Sequence, residues 1–181
     1  DQRSKYLVRL ELIGAVGIIL IGSTMHFAFE WSGRWTPLAL FAAVNESIWE
    51  HLKLAFWPGV LWALIPQPGS DLPLLERLAA RGFSLVLTAL LIVIIFTGYT
   101  AILGHNLLPL EIGTFVLAVL AGQCASAALS IYGMSRSVLL AIGLGLLIAQ
   151  FVAYALFTYF PPDFWLFVDP RHGLRGIPRS P

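Results

Sequence analysis

Cysteine is almost missing from this chain. Cys124 stands alone among 181 residues, so no intrachain disulfide can form, and its apolar surroundings mark it as a small packing residue. Charge is scarce too: Asp, Glu, Lys and Arg make up 12% of the sequence. A water-soluble domain carries about a quarter, so an ordinary soluble globule is excluded. The formal net charge of +1 and the lack of a long basic run exclude a surface that tracks phosphates, and nucleic acid is not an expected partner. There is no Gly-x-Ser-x-Gly elbow, phosphate loop or dinucleotide fingerprint, and Glu50-His51 lacks the second histidine of a His-Glu-x-x-His metalloprotease motif. No internal repeat supports an inverted-repeat transporter.

What the chain has in quantity is hydrocarbon. Hydrophobic residues reach 58% and the mean hydropathy is +0.82. Both describe an integral membrane protein built as one small helical domain over residues 1–181. Apolar runs predict an all-α bundle of about five transmembrane helices, near 7–29, 46–65, 82–103, 111–132 and 137–160. The first follows a basic start, but it is long, lacks a small-x-small cleavage pattern and precedes further spans. An uncleaved helix is therefore expected. The run from Pro37 to Ile65 is too long for one upright span. Either it is a helix kinked near Pro58, or residues 37–44 form a re-entrant or helical piece and Ser47-x-x-Glu50 is a capping box that starts the span. Residues 66–81 read as a loop with an amphipathic lead-in, 133–136 as a tight turn, and 161–181 as an irregular, proline-rich tail that lies along the membrane or folds back over the bundle. Lysine and arginine favour the cytoplasm. Arg3, Lys5, Arg9, Arg77, Arg81 and Arg136 would share one side, against Arg34, Arg171, Arg175 and Arg179, so the N-terminus is expected inside and the C-terminus outside.

Against this background Asn45-Glu46-Ser47-Ile48-Trp49-Glu50-His51-Leu52-Lys53 is conspicuous, because ionisable groups in lipid are costly unless paired or used. With five spans, all four histidines (His26, His51, His105 and His172) fall on one side of the membrane, with Glu30, Glu46, Glu50 and Glu111. His26 and Glu30 are four apart on one helical face, as are Glu46 and Glu50 on another. Two such pairs meeting across a hairpin would offer nitrogen and oxygen ligands for zinc or a similar divalent ion. The candidate ligands are His26, His51 and Glu30. Glu46 or Glu50 would serve as base, and Lys53 would neutralise a glutamate or stabilise an oxyanion. Asn45, Ser47, Trp49 and His172 would contact substrate. Structural readings stand beside these: a register-fixing network of Glu46, Glu50 and Lys53, Glu50 as a cap, Trp49 as packing, and His172 as turn chemistry in Asp169-Pro170-Arg171-His172-Gly173.

The nonapeptide, preceded by His26 and followed by Pro161-Pro162 and Leu166-Phe167-x-Asp169-Pro170, resembles a family of small, uncharacterised bacterial multi-spanning proteins that carries a domain-of-unknown-function label. The resemblance covers the first two spans and the tail, and implies a bacterial inner membrane. The mixture of histidine, glutamate and serine is also similar to that of the ceramidase and adiponectin-receptor superfamily of membrane metal-dependent hydrolases. Those have seven spans and a three-histidine zinc site with an aspartate and a serine, a pattern this spacing does not repeat. The functional expectation is a membrane-embedded hydrolase acting on a lipid-like substrate. The alternatives are a non-catalytic scaffold or small-ligand binder and, third, a transporter or proton pathway.

Overall fold

The computed structural model describes residues 2–67, 72–133 and 135–178. Position 134 in the expected 133–136 turn, positions 68–71 of the expected loop and positions 179–181 of the tail lie outside the described residues. The fold is all-helical: α1 (Gln2–Trp31), α2 (Ile48–Leu64), α3 (Leu74–Leu103), α4 (Leu108–Tyr132) and α5 (Arg136–Tyr159). Among the described residues, α1, α3, α4 and α5 are the four helices long and apolar enough to cross a membrane, which is consistent with an integral membrane protein. The fifth, α2, has 17 residues and is the best buried of the set.

Burial is inverted relative to a soluble protein. Leu20 is 63% exposed, Ile94 61% and Ile148 63%, while Glu50, Lys53 and Arg81 are at or below 1%. Lipid as solvent rewards this arrangement, since it welcomes leucine and cannot hydrate a charge. Helices α1 to α4 pack in a ring, each against the next, and α5 lies against α3. Small residues set the closest approaches, as expected where hydrocarbon gives no net drive to associate. Gly82 of α3 meets the Gly143 backbone of α5 with no room for a methyl group.

The stretch before α2 resolves the two sequence readings. Thr36–Leu40 forms a short 3-10 turn, the chain then runs without regular structure, and Ser47 caps α2 by accepting from the Glu50 N–H. The capping box is only half made, because the Asn45 side-chain oxygen accepts from the Ser47 N–H in place of Glu50. Glu46 therefore precedes the helix. The expected stripe of Glu46, Glu50 and Lys53 along one helical face does not exist, and this frees the two glutamates to point to different places.

Pro58 lies inside α2 and has no N–H to offer the Leu54 carbonyl. Gly22 of α1 lies directly against that carbonyl. The amphipathic lead-in expected before the third span is continuous with α3, which begins at Leu74. The tail folds back over the bundle end: Trp165–Phe167 is a 3-10 turn, Val168 bridges Arg175, and Phe167 is buried against Trp49 and Phe157.

Candidate functional site

Three elements bring one polar cluster together. His26 comes from the last turns of α1, Glu46 from the approach to α2, and His51 from the first turn of α2. One donor atom from each lies within 4.8 Å of the others. Glu46 stands between the imidazoles, its oxygens 3.8 Å from His26 Nε2 and 3.6 Å from His51 Nε2. The two rings lie 5.1 Å apart, centre to centre. His51 Nδ1 is 2.8 Å from the Ser47 carbonyl. That contact requires a proton on Nδ1, so the Nε2 lone pair is turned toward the cluster. Buried His26 Nδ1 has no hydrogen-bond partner among the described residues. The cluster is close-set yet short of partners.

It forms the polar end of a cavity of about 280 Å³ inside the ring. The walls are apolar, with Leu54 of α2, Ile92 and Phe96 of α3, and Phe115 of α4. Phe27, Leu108 and Ile112 both line the cavity and are exposed at the surface, so its mouth between α1 and α4 meets an apolar medium. Two charged residues join Glu46 on the lining. Glu111 of α4 accepts from the Asn106 side chain, and Arg171 of the tail has its guanidinium 3.4 Å from Glu46.

The structure sorts the expected site residues. His26, Glu46 and His51 come together. Glu30 does not join them, since it pairs with Arg34 four residues on at 3.0 Å and Glu46 occupies the position expected for it. Glu50 and Lys53 form a separate, sealed pair at 2.6 Å. Glu50 also accepts from the Val44 N–H, and Lys53 donates to the Ala39 carbonyl and to Thr158. Of the register-fixing network expected of Glu46, Glu50 and Lys53, only Glu50 and Lys53 pair; they tie α2 to the preceding loop and to α5, and Glu46 stands apart. Ser47 is a helix cap. Asn45 donates to the Gly176 carbonyl and so ties the tail to the loop. Trp49 packs among Tyr154, Phe157 and Phe167 rather than in the cavity.

His172 is largely exposed and lies 2.9 Å from the Asp169 carboxylate. Burial pushes the Asp169 carboxyl up, but hydrogen bonds from His172 and from the Arg171 and Glu46 N–H groups outweigh it and hold the group below the ordinary carboxylate value. His105 is exposed against the Leu103 carbonyl. Cys124 faces outward from α4 instead of packing inside.

Arg171 and the α3 and α4 walls were not foreseen. The one sequence signal for Arg171 was its place beside His172 on the side shared by the histidines. A second buried polar cluster in the opposite half was also missed. There Glu11 of α1 pairs with Arg81 of α3 at 3.0 Å and accepts from Gln123 and Ser126 of α4. An apolar layer of Ala15, Ile18, Ala55 and Val119 lies between the two stations.

No curated protein and no solved structure matches the chain. Residues 2–177, nearly the whole sequence, match one family model, and the chain belongs to that family of unknown function, DUF6512.

Proposed function

We propose that this protein is a membrane-embedded, metal-dependent hydrolase for a lipid-like substrate. The observation that carries the reading is the convergence of two histidines and one carboxylate within 4.8 Å at the polar end of an apolar-walled cavity. Two imidazoles and a carboxylate with room beside them make the ligand set of a catalytic zinc site, which keeps a position open for water. A divalent ion held there would polarise a carbonyl and activate that water. The chain's own residues do the rest. His51 is oriented by the Ser47 carbonyl, Glu46 is held in place by the Asp169 clasp on its N–H, and the apolar walls take the hydrocarbon part of the substrate. Glu111 takes the proton released as water adds to an ester or amide carbonyl, and returns it to the leaving oxygen or nitrogen as that bond breaks. Glu50 and Lys53 take no part, because their groups are used up by each other and by Val44, Ala39 and Thr158.

With the N-terminus in the cytoplasm the cavity would open in the outer leaflet. Arg3, Lys5, Arg9, Arg77 and Arg136 support that orientation against Arg34, Arg171 and Arg175, while Arg81 is neutralised by Glu11.

Metal analysis of protein purified in a neutral detergent tests the reading. About one zinc per chain is expected, lost in His51→Ala and Glu46→Ala with the helical signal and melting behaviour retained. Absence of metal in well-folded protein after incubation with zinc overturns it.

A second reading, an ion or proton pathway, draws on the Glu11–Arg81–Gln123 station in the opposite half, about 22 Å from His26 at 1.5 Å per residue along α1. It ranks second because the layer between the stations is packed with Ala15, Ile18, Ala55 and Val119, and among the described residues its one buried hydroxyl on this level, Thr88, is already spent on the Ser84 and Ala118 carbonyls.

A further inference from the structure

The cavity has one cation among its described lining residues, and its surroundings fix where that cation stands. Arg171 sits on a loop secured at several points. Its own N–H donates to Asp169 at 2.8 Å, the Asp169 N–H donates to the Leu174 carbonyl at 2.8 Å, and the Gly173 N–H returns to the Asp169 carbonyl at 2.8 Å. Asn45 holds the Gly176 carbonyl, and Phe167 anchors the start of the loop in the aromatic cluster. The backbone is therefore pinned at the polar end of the cavity, while the side chain is 63% exposed and, among the described residues, its guanidinium pairs with Glu46 alone, at 3.4 Å. Five N–H donors in a planar fork are far from saturated by one long contact.

Charge accounting gives this a direction. With neutral imidazoles, the charged groups lining the cavity are Glu46, Glu111 and Arg171, one positive against two negative. A divalent ion on His26, Glu46 and His51 reverses the sign to a net positive charge. It also draws on the carboxylate that Arg171 faces, leaving the fork to seek another acceptor. That acceptor must lie where polar cluster and apolar wall meet, so it belongs to the head of an amphiphile whose chain lies along Leu54, Phe96 and Phe115. A cavity of about 280 Å³ is at the small end for ligand pockets, which suits one chain rather than two.

We propose that Arg171 is the headgroup receptor of this cavity, and that the ligand class is a single-chain amphiphile with an anionic head, a carboxylate or a phosphate. The proposal rests on the metal-centre reading, which the same experiment tests separately.

Native mass spectrometry of the full chain, released from a neutral detergent with and without zinc, reports bound metal and bound amphiphile together. The probes share a dodecyl chain: dodecanoate, dodecyl phosphate, dodecanol and dodecyltrimethylammonium. Zinc-loaded protein should bind the two anions about tenfold more tightly than dodecanol, the factor expected of one charge-assisted hydrogen bond, with the ammonium weakest. Arg171→Gln should erase most of that margin without changing zinc content, and Arg171→Lys should retain part of it while favouring phosphate less. The ratio of dodecanoate to dodecyl phosphate tells the two head chemistries apart. Equal binding of anion and alcohol to zinc-loaded protein overturns the proposal and leaves the metal centre standing. An anion margin that survives Arg171→Gln assigns selection to the metal alone and overturns it as well. Failure to take up zinc removes the centre and, with it, the charge reversal on which the receptor depends.

Discussion

Glu46 and Glu50 are separated by one helical turn's worth of sequence and meet opposite fates. Glu50 is 1% exposed, with an ammonium at 2.6 Å and a backbone donor on the same oxygen. Glu46 is partly exposed and faces two imidazoles and a guanidinium, all beyond 3.3 Å. The first is a finished network. The second has geometry without saturation, and groups left short of partners are available to a ligand. The comparison separates residues that hold a membrane fold from residues that can do chemistry in it, although both kinds are ionisable and both are costly in lipid.

The widest gap between the two glutamates should be seen in stability. Lys53→Met leaves Glu50 buried without its counter-ion, and loss of about 3–5 kcal/mol is expected of breaking such a pair. The double variant Glu50→Gln, Lys53→Met should recover a good part of it, as read by thermal unfolding in detergent. Glu46→Gln should barely move the melting midpoint, and a large drop there would make the cluster structural.

Metal affinity should divide the pair in the reverse sense. His26→Ala removes one of the three proposed ligands and should weaken zinc binding by more than about 100-fold, the upper end for changes only in the groups supporting ligands. Lys53→Met, assayed where still folded, should change it far less.

A third, intermediate effect probes how the helices hold the cluster. Gly22→Ala sets a methyl group against the Leu54 carbonyl, so α1 must shift and carry His26 with it. About 1–3 kcal/mol of stability should be lost, together with part of the zinc affinity.

The smallest effect concerns pH and the tail. Asp169 titrates below its ordinary value of 3.8, so the clasp contributes stability that is full above that value and is lost as the pH falls through the lowered one. Tail cleavage by an acid-active protease should therefore rise only in strong acid. Asp169→Asn, which cannot titrate, should raise cleavage at every pH and flatten that rise.

The fold was legible because lipid demands long apolar runs, and those runs can be read residue by residue. The end of the bundle shared by His26, His51 and the tail was legible as well, from helix parity alone. Which carboxylate joined His26 was not. Spacing pointed to Glu30, four residues from His26, with Glu46 as a base, and the outcome turned on Arg34, whose positive φ of 63° ends α1 in a turn that places it beside Glu30. The division of labour between Glu46 and Glu50 depended on one cap. Had Asn45 not displaced Glu50 from the Ser47 N–H, the two would have followed the sequence pattern more closely. Cys124 shows the same limit in miniature: in a helix apolar on every face, composition does not tell inside from outside. Arg171 and the Glu11–Arg81 station rest on contacts 125 and 70 residues apart, which no local pattern encodes.

The brevity of α2 has a kinetic corollary. At 17 residues it is about 25 Å long, less than a hydrocarbon core of about 30 Å, while its neighbours α1 and α3 have 30 residues each. His26 stands five residues before the end of α1, so the polar cluster lies inside the end of that helix, and in a membrane this would be the level where acyl chains give way to headgroups. A compound that reached it sideways past Phe27 and Ile112 would never be dissolved in water. Its supply is set by its mole fraction in the surrounding two-dimensional phase, so occupancy should fall when inert lipid is added, even with every aqueous concentration held constant.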